Sequence, residues 1–417
     1  MDSQGLRRTL SLFDAFSIGI NAIVGAGIFV VIGIAAGAAG PALMLSIAIS
    51  FIISTFTALS FVRLSKAITK EGGAYEFAHE LLPPPLGFLT GWLWLFSNII
   101  GGAAVAMGFA QYLSFLIPVG DYRVVAAAIS LVVTLLNYYG VKGSALVGDA
   151  VNIIKMGILA LFVIAGILFI DLGNFAPFAP NGLGGALTGA ALFFFAFTGF
   201  GRITTVSEEV KDPQRTVPRA IILSLAVSAV VYVMVAFVAL GLIGYSSLSV
   251  SSFPLAEAIV KTGIWGIGYV ITVGALVATF GVLLTSVLGV SRVAFAMSRN
   301  RDLPVLFSRV HERYRIPHYA VIFSGLVMVM LAGLSSFNLV INASSATALI
   351  YYAIANASAL RSKNMRFSNV VPFLGVVSCL AMLVFLSLNS LLLTLAIVCI
   401  GMIYYLAKRR WRTVRGE

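Results

Sequence analysis

The sequence predicts an all-α polytopic membrane protein of about twelve transmembrane helices, and three observations predict it. Of its 417 residues 60% are hydrophobic and only 10% charged, where soluble domains carry about 25% charged residues. The apolar runs are continuous and roughly 20 residues long, the length a helix needs to cross a bilayer; a membrane β-barrel would show short alternating segments instead. The basic residues are also segregated. When the spans are read in order, 24 of the 27 Lys and Arg residues fall on one face, Arg123 and Lys261 fall on the other, and Lys155 lies inside a span. This is the positive-inside pattern, so both termini are expected in the cytoplasm of a cell-membrane protein. The placement accounts for a net charge of +12 without nucleic acid as a partner. The tail KRRWRTVR reads as a topology anchor that also meets anionic lipid.

Taken in order, span 1 is expected at about residues 13–35, span 2 at 41–62 and span 3 at 84–116. Spans 4 and 5 follow at about 122–140 and 146–170, span 6 at 185–206, span 7 at 217–243 and span 8 at 265–297. Spans 9 to 12 are expected near 318–336, 338–360, 369–388 and 390–407. Between spans 2 and 3, KAITKEGGAYEFAHELLPPP reads as a cytoplasmic loop in which Gly72-Gly73 turns the chain and Pro83 to Pro85 stop a short amphipathic helix. SSFPLAEAIVKTG, between spans 7 and 8, reads as a short outer helix over the mouth. Cys379 and Cys399 both fall in apolar spans and define no disulfide framework. Arg7 and Arg8 precede a long apolar segment without a small-residue cleavage site, so no cleavable leader is expected.

Two spans carry glycine where a helix tolerates it least. Span 1 reads SIGINAIVGAGIFVVIG, with Gly25-Ala26-Gly27 at mid-depth, and span 6 reads AALFFFAFTGFGRITTVSEEV, with Gly199 and Gly201. Glycine is costly inside a helix, and unwound backbone at membrane depth is tolerated only where protein or a water-filled cavity surrounds it. Close helix packing through small residues is the bland alternative for either span alone. Spans 1 and 6, however, open two five-helix groups, at about 1–170 and 185–360, which an odd number of spans turns upside down relative to each other. Paired interrupted helices in inverted halves mark the central site of a transporter. Spans 11 and 12, at about 369–407, then lie outside that core, with a basic tail at 408–417.

GAGIF in span 1, EGGAYEFAHELL followed by GFLTGW, FAFTGF followed by SEEVKDPQRTVPRAI, and RVAFAMSRNRDLP after span 8 stand in that order over about residues 10–315. Together they resemble the amino acid–polyamine–organocation (APC) transporters, most closely the broad-specificity and cationic amino acid branches. The resemblance implies a five-plus-five inverted-repeat core. It also implies that the substrate α-carboxylate meets backbone amides at Gly25, Ala26 and Gly27, with Ile23 beside them. The α-amino group is implied to meet carbonyls around Phe195, Ala196 and Thr198, next to Gly199. Some relatives carry Ser where Ala26 stands, so this chain offers no hydroxyl there. Phe195 matches an aromatic gate over the bound substrate; as one more apolar face of FFFAF it has an equally simple structural reading.

Lys155 lies well inside span 5, and no Asp or Glu stands at mid-depth in any span to neutralise it. A central lysine costs roughly 2.5–3.5 kcal/mol on insertion scales, and a desolvated ammonium near the edge of ionisation can exchange a proton during a cycle. Some proton-coupled APC relatives carry a lysine here, where sodium-coupled proteins of the same fold bind a cation. Its ammonium is expected to donate to span 1 backbone near Asn21, with Thr279 and Thr285 of span 8 as further partners by depth. The competing reading is a lysine snorkelling to the cytoplasmic interface. Arg202, directly after the span 6 break, is expected to pair with Glu208 or Glu209, with the inner vestibule as the other option.

These residues favour a proton-coupled importer of neutral, small-to-medium amino acids, because no acidic residue lies in spans 3, 6, 8 or 10 to attract a cationic side chain. An exchanger or uncoupled facilitator, for cationic amino acids or polyamines, is the alternative. A receptor that does not transport is a remoter one. An intramembrane enzyme is disfavoured: His79, His311 and His318 sit in loops or at a span's edge, and HExxH, a P-loop and acidic pairs within a span are all lacking. No metal or cofactor is expected, and the sequence does not specify an oligomeric state.

Overall fold

The computed structural model describes residues 9–25, 27–70, 72–140, 145–314, 316–362 and 369–415. Of the basic face, Arg7, Arg8, Lys142, Arg315, Lys363 and Arg366 lie outside the described residues, as does Ala26 of the first break.

The chain forms α1 (Leu12–Ile23), α2 (Ile32–Ala39), α3 (Leu43–Ala67), α4 (Ala74–Leu81), α5 (Pro84–Leu116), α6 (Tyr122–Tyr138), α7 (Ala145–Gly166) and α8 (Gly182–Phe197). These are followed by α9 (Pro213–Val250), α10 (Pro254–Val260), α11 (Ile267–Arg299), α12 (His318–Leu334), α13 (Phe337–Arg361), α14 (Val370–Met382) and α15 (Leu388–Arg415). Among the described residues the one extended pairing is an isolated bridge between Leu10 and Val210. Eight runs are long and apolar enough to cross a membrane, and three shorter apolar helices accompany them. The first run, Leu12–Ala67, is 56 residues long and turns back at Gly40, whose φ of 64° is open to glycine. Counted as two spans, it brings the total to the twelve expected.

The helices begin and end where local chemistry says they should. Ser11 and Asp14 form a reciprocal capping box that starts α1. Pro84 and Pro85 occupy the first turn of α5, where a missing N–H costs nothing. The predicted loop helix is α4, and the predicted outer helix is α10.

Burial sorts the faces of each span. On α7, Lys155, Leu159 and Phe162 point inward, while Ile153, Ile154 and Ile164 are exposed on the other side. That spacing is one helical face against its opposite, and the exposed apolar face is what lipid requires. The two interrupted helices occupy the middle: α1 packs on α9 and α7, and α8 on α3 and α2. On the other side α5 packs against α11 and α13, with α14 and α15 added outside against α13, α3 and α5. Polar residues stitch these contacts. Ser46 and Ser50 of α3 donate to the carbonyls of Ala186 and Ala190 on α8, both at 2.7 Å. Ser97 and Ser344 exchange hydroxyl-to-carbonyl bonds between α5 and α13, at 3.1 and 2.9 Å. Such bonds and small-residue contacts hold helices together where hydrophobic burial offers little driving force.

At the basic end, α4 is tied to the loop after α11. The Tyr75 hydroxyl donates to Asp302 at 2.7 Å, and the Asn300 amide donates to Tyr75 at 3.0 Å and to Glu76 at 3.3 Å. Burial raises the pKa of the Glu76 carboxyl, an effect that nearby His79 and Lys70 oppose.

Candidate substrate site

The first break begins where α1 stops at Ile23. Val24 turns extended, at φ −80° and ψ 98°, and the chain resumes as a widened π-type turn over Gly27–Val31 before α2. The Gly25 carbonyl accepts from Ile28 and Phe29, at 3.2 and 3.4 Å. The second break is of another kind: α8 ends at Phe197 and continues as a 3-10 helix over Thr198–Glu209. The break expected at Gly199 and Gly201 is therefore a change of winding that starts at Thr198.

The two breaks touch. A Cβ on Gly27 would collide with Ala196, and one on Gly199 would collide with the backbone of Ala22; only glycine permits this approach. The Tyr232 hydroxyl of α9 lies 2.7 Å from the carbonyl of Ile23 and 2.9 Å from that of Ala196, within reach of both breaks at once. Tyr352 of α13 donates to the Thr198 carbonyl, and Tyr112 of α5 donates to that of Phe29 at 2.7 Å. Carbonyls freed by the interruptions are thus satisfied by tyrosines, as buried backbone groups must be.

A cavity of about 40 Å³ opens between the breaks. Ile23, Gly25 and Gly27 line it from the first, and Phe195, Ala196, Thr198 and Gly199 from the second. The seven described backbone candidates are therefore gathered around one space, and Ala26 is outside the described residues. The half-buried ring of Phe195 faces this cavity beside Gly101. A second cavity of about 350 Å³ lies on the side of the basic loops, lined by Asn21, Asp149, Asn152 and Thr285 among others. Arg202 belongs to the walls of both.

Lys155 is fully buried. Its ammonium donates to the carbonyls of Ile20 (3.2 Å) and Val24 (3.0 Å) and to the side-chain oxygen of Asn21 (3.0 Å). The expected neighbourhood is found, but Asn21 contributes its amide oxygen rather than its backbone. Snorkelling does not describe this lysine, which points at α1 and away from lipid. Thr279 and Thr285 are not its partners. Thr279 donates back to Ala275 at 2.6 Å, and Thr285 donates to carbonyls of its own helix. A membrane hydroxyl is most cheaply satisfied by the carbonyl one turn back.

Arg202 does not make the expected pair with Glu208 or Glu209; the other option, a place beside the inner vestibule, fits its position in the wall of the second cavity. Glu209 pairs with Arg292, at 3.1 Å, whereas Arg202 turns into the bundle. Its Nε and Nη2 donate to the Asn98 side-chain oxygen at 3.3 and 2.9 Å, Nη2 to Ser286 at 2.9 Å and Nη1 to Thr285 at 3.2 Å. The reason is geometric, since 3-10 winding repeats every three residues rather than 3.6 and so resets which side chains face α5 and α11. Sequence reading also missed Tyr112, Tyr232, Tyr352 and Asn98. A lone tyrosine or asparagine in an apolar run was the available signal, since a polar tip at depth needs a partner. Among the described residues no cluster of three or more His, Cys, Asp or Glu side chains could hold a metal ion.

The amino acid permease family model matches residues 14–414. The chain belongs to the amino acid permease family. Named relatives of this permease differ in what they carry. The methylthioribose transporter of Bacillus subtilis is 34% identical over 90% of this chain and 86% of its own length. The branched-chain amino acid permease BcaP of the same organism is 29% identical over 98% and 94%. The mouse cationic amino acid transporter 4 is 30% identical over 88% and 61%. The protein is an integral membrane transporter and not an enzyme.

Proposed function

We propose that this permease imports neutral amino acids, in preference to cationic ones, by proton-coupled alternating access across the cell membrane. Both termini are taken as cytoplasmic. The core is read as two inverted five-helix groups, α1 to α7 and α8 to α13, with α14 and α15 outside it. The α-carboxylate meets amides of Gly25, Ala26 and Gly27, the α-amino group meets carbonyls at Phe195, Ala196 and Thr198, and Phe195 closes over the substrate. The observation that carries the coupling is the Lys155 ammonium on two carbonyls and one amide oxygen of α1, at 3.0–3.2 Å beside the break. Loss of its proton would leave two N–H donors and no charge for three acceptors, so its ionisation biases the position of the first interrupted helix. Arg202 in the cavity wall opposes cationic side chains, as like charges repel.

The test is uptake of a radiolabelled amino acid mixture into liposomes, with and without an inward proton gradient. Gradient-driven uptake is expected in the wild type, falling more than about tenfold in Lys155→Ala while substrate binding persists. Equal uptake without a gradient, unchanged in the variant, would show exchange or facilitation instead. Competition by methylthioribose, with no amino acid taken up, would overturn the substrate class.

A further inference from the structure

Arg202 is a cation on the wall of the central cavity that the proposed cycle does not use. It stands between the small cavity at the breaks and the larger one toward the basic loops, and touches both. Its contacts are all with uncharged side chains: Asn98 of α5, and Thr285 and Ser286 of α11. It makes none of the ion pairs among the described residues. The two α11 hydroxyls already donate to carbonyls of their own helix, so they meet the guanidinium through their lone pairs.

A guanidinium presents five N–H donors in a planar fork, which matches an oxygen acceptor, and a carboxylate best of all. Holding such a group at membrane depth with neutral partners alone is expensive. Four of its five N–H donors are engaged by Asn98, Thr285 and Ser286, which leaves one, and the net charge, for an acceptor that a ligand brings. If the breaks take the substrate's α-carboxylate and α-amino group, the surface left to its side chain is mixed: Val105 and Val282 are apolar, while Asn98, Arg202, Ser286 and Ser344 are polar.

We propose that Arg202 is a specificity-determining residue that binds an oxygen acceptor on the substrate's side chain, a carboxamide or a carboxylate at the γ position. The permease then prefers asparagine or aspartate over leucine, which has nearly the same shape but no acceptor. This rests on reading the central cavity as an amino acid site; asparagine keeps the neutral class proposed above, whereas aspartate would replace it with an anionic one.

The test is ligand-dependent thermal stabilisation of the purified full-length protein with leucine, asparagine and aspartate, run on the wild type, Arg202→Met and Arg202→Lys. The affinity ratio within each protein is read, so that a general loss of stability cancels. In the wild type asparagine, aspartate or both bind roughly tenfold or more tightly than leucine, as a hydrogen bond to a charged group implies. The ratio collapses toward one in Arg202→Met and is partly restored in Arg202→Lys. A stronger response to aspartate than to asparagine assigns the acceptor as a carboxylate; the reverse assigns a carboxamide. Leucine binding as tightly as both in the wild type, or a ratio unchanged in Arg202→Met, overturns the proposal. Absence of binding by any amino acid in a full set overturns the amino acid reading, and this inference with it.

Discussion

After its interruption the first broken helix widens into the π-type turn Gly27–Val31, whereas the second tightens into 3-10 winding that begins at Thr198 and is kinked at Val206, where φ is −117° and ψ 17°. The charges differ in the same sense. The first break receives a cation from elsewhere, Lys155 of α7, fully buried and held by three oxygens. The second carries its own cation, Arg202, which faces two cavities. A cation so held answers to the conformation of the backbone around it; a cation on a cavity wall answers to whatever enters. This is why coupling is assigned to the first break and side-chain selection to the second.

The largest effect that bears on this contrast is at the contact between the breaks. Gly199→Ala places a methyl against the Ala22 backbone, costs about 1–3 kcal/mol and abolishes uptake, measured in liposomes beside a chemical-denaturation or thermal midpoint. Gly157→Ala on α7, with open space around it, leaves both unchanged. If Gly199→Ala transports normally, the breaks do not depend on one another. Next comes Tyr232→Phe, which removes a donor from the carbonyls of both Ile23 and Ala196. A loss of about 1–2 kcal/mol is expected, with weaker substrate binding whether or not a gradient is applied; a change confined to gradient-driven uptake would tie Tyr232 to the first break alone. The smallest effect is away from both breaks. Burial holds Glu76 above the usual carboxylate range, so folding favours its protonated form and the wild type gains stability as pH falls toward that range. Glu76→Gln is neutral at every pH and should raise Tm by about 1–2 °C at pH 8, with uptake unaltered.

Much of the architecture could be read from the chain because lipid imposes a strict rule: each span must be long, apolar and internally hydrogen-bonded. The spans, the loop helix α4 and the outer helix α10 all follow from it. The breaks were legible because glycine at mid-depth needs a reason, and Lys155 because a charge there needs one too. What could not be read was the direction of side chains beyond the breaks. Arg202 was expected to pair with Glu208 or Glu209, with the inner vestibule as the other option, and it turns to Asn98, Thr285 and Ser286 instead. Thr279 and Thr285 show the limit of depth as a guide, since two groups at one level can still face different neighbours. The tyrosines were hidden for a related reason: in an apolar run their rings resemble core, and only the hydroxyl's partner on another helix shows their role.

Tyr232 carries a single hydroxyl hydrogen, and two carbonyls compete for it. It can serve one well, or both poorly, but not both in full. The two helix ends therefore share one hydrogen at this hydroxyl, and turning it favours one end over the other. A substrate ammonium bound here, as proposed above, would bring three hydrogens of its own and leave the hydroxyl to a single partner. Occupancy of the site would thus be registered as a count of hydrogens at the place where the two helices meet.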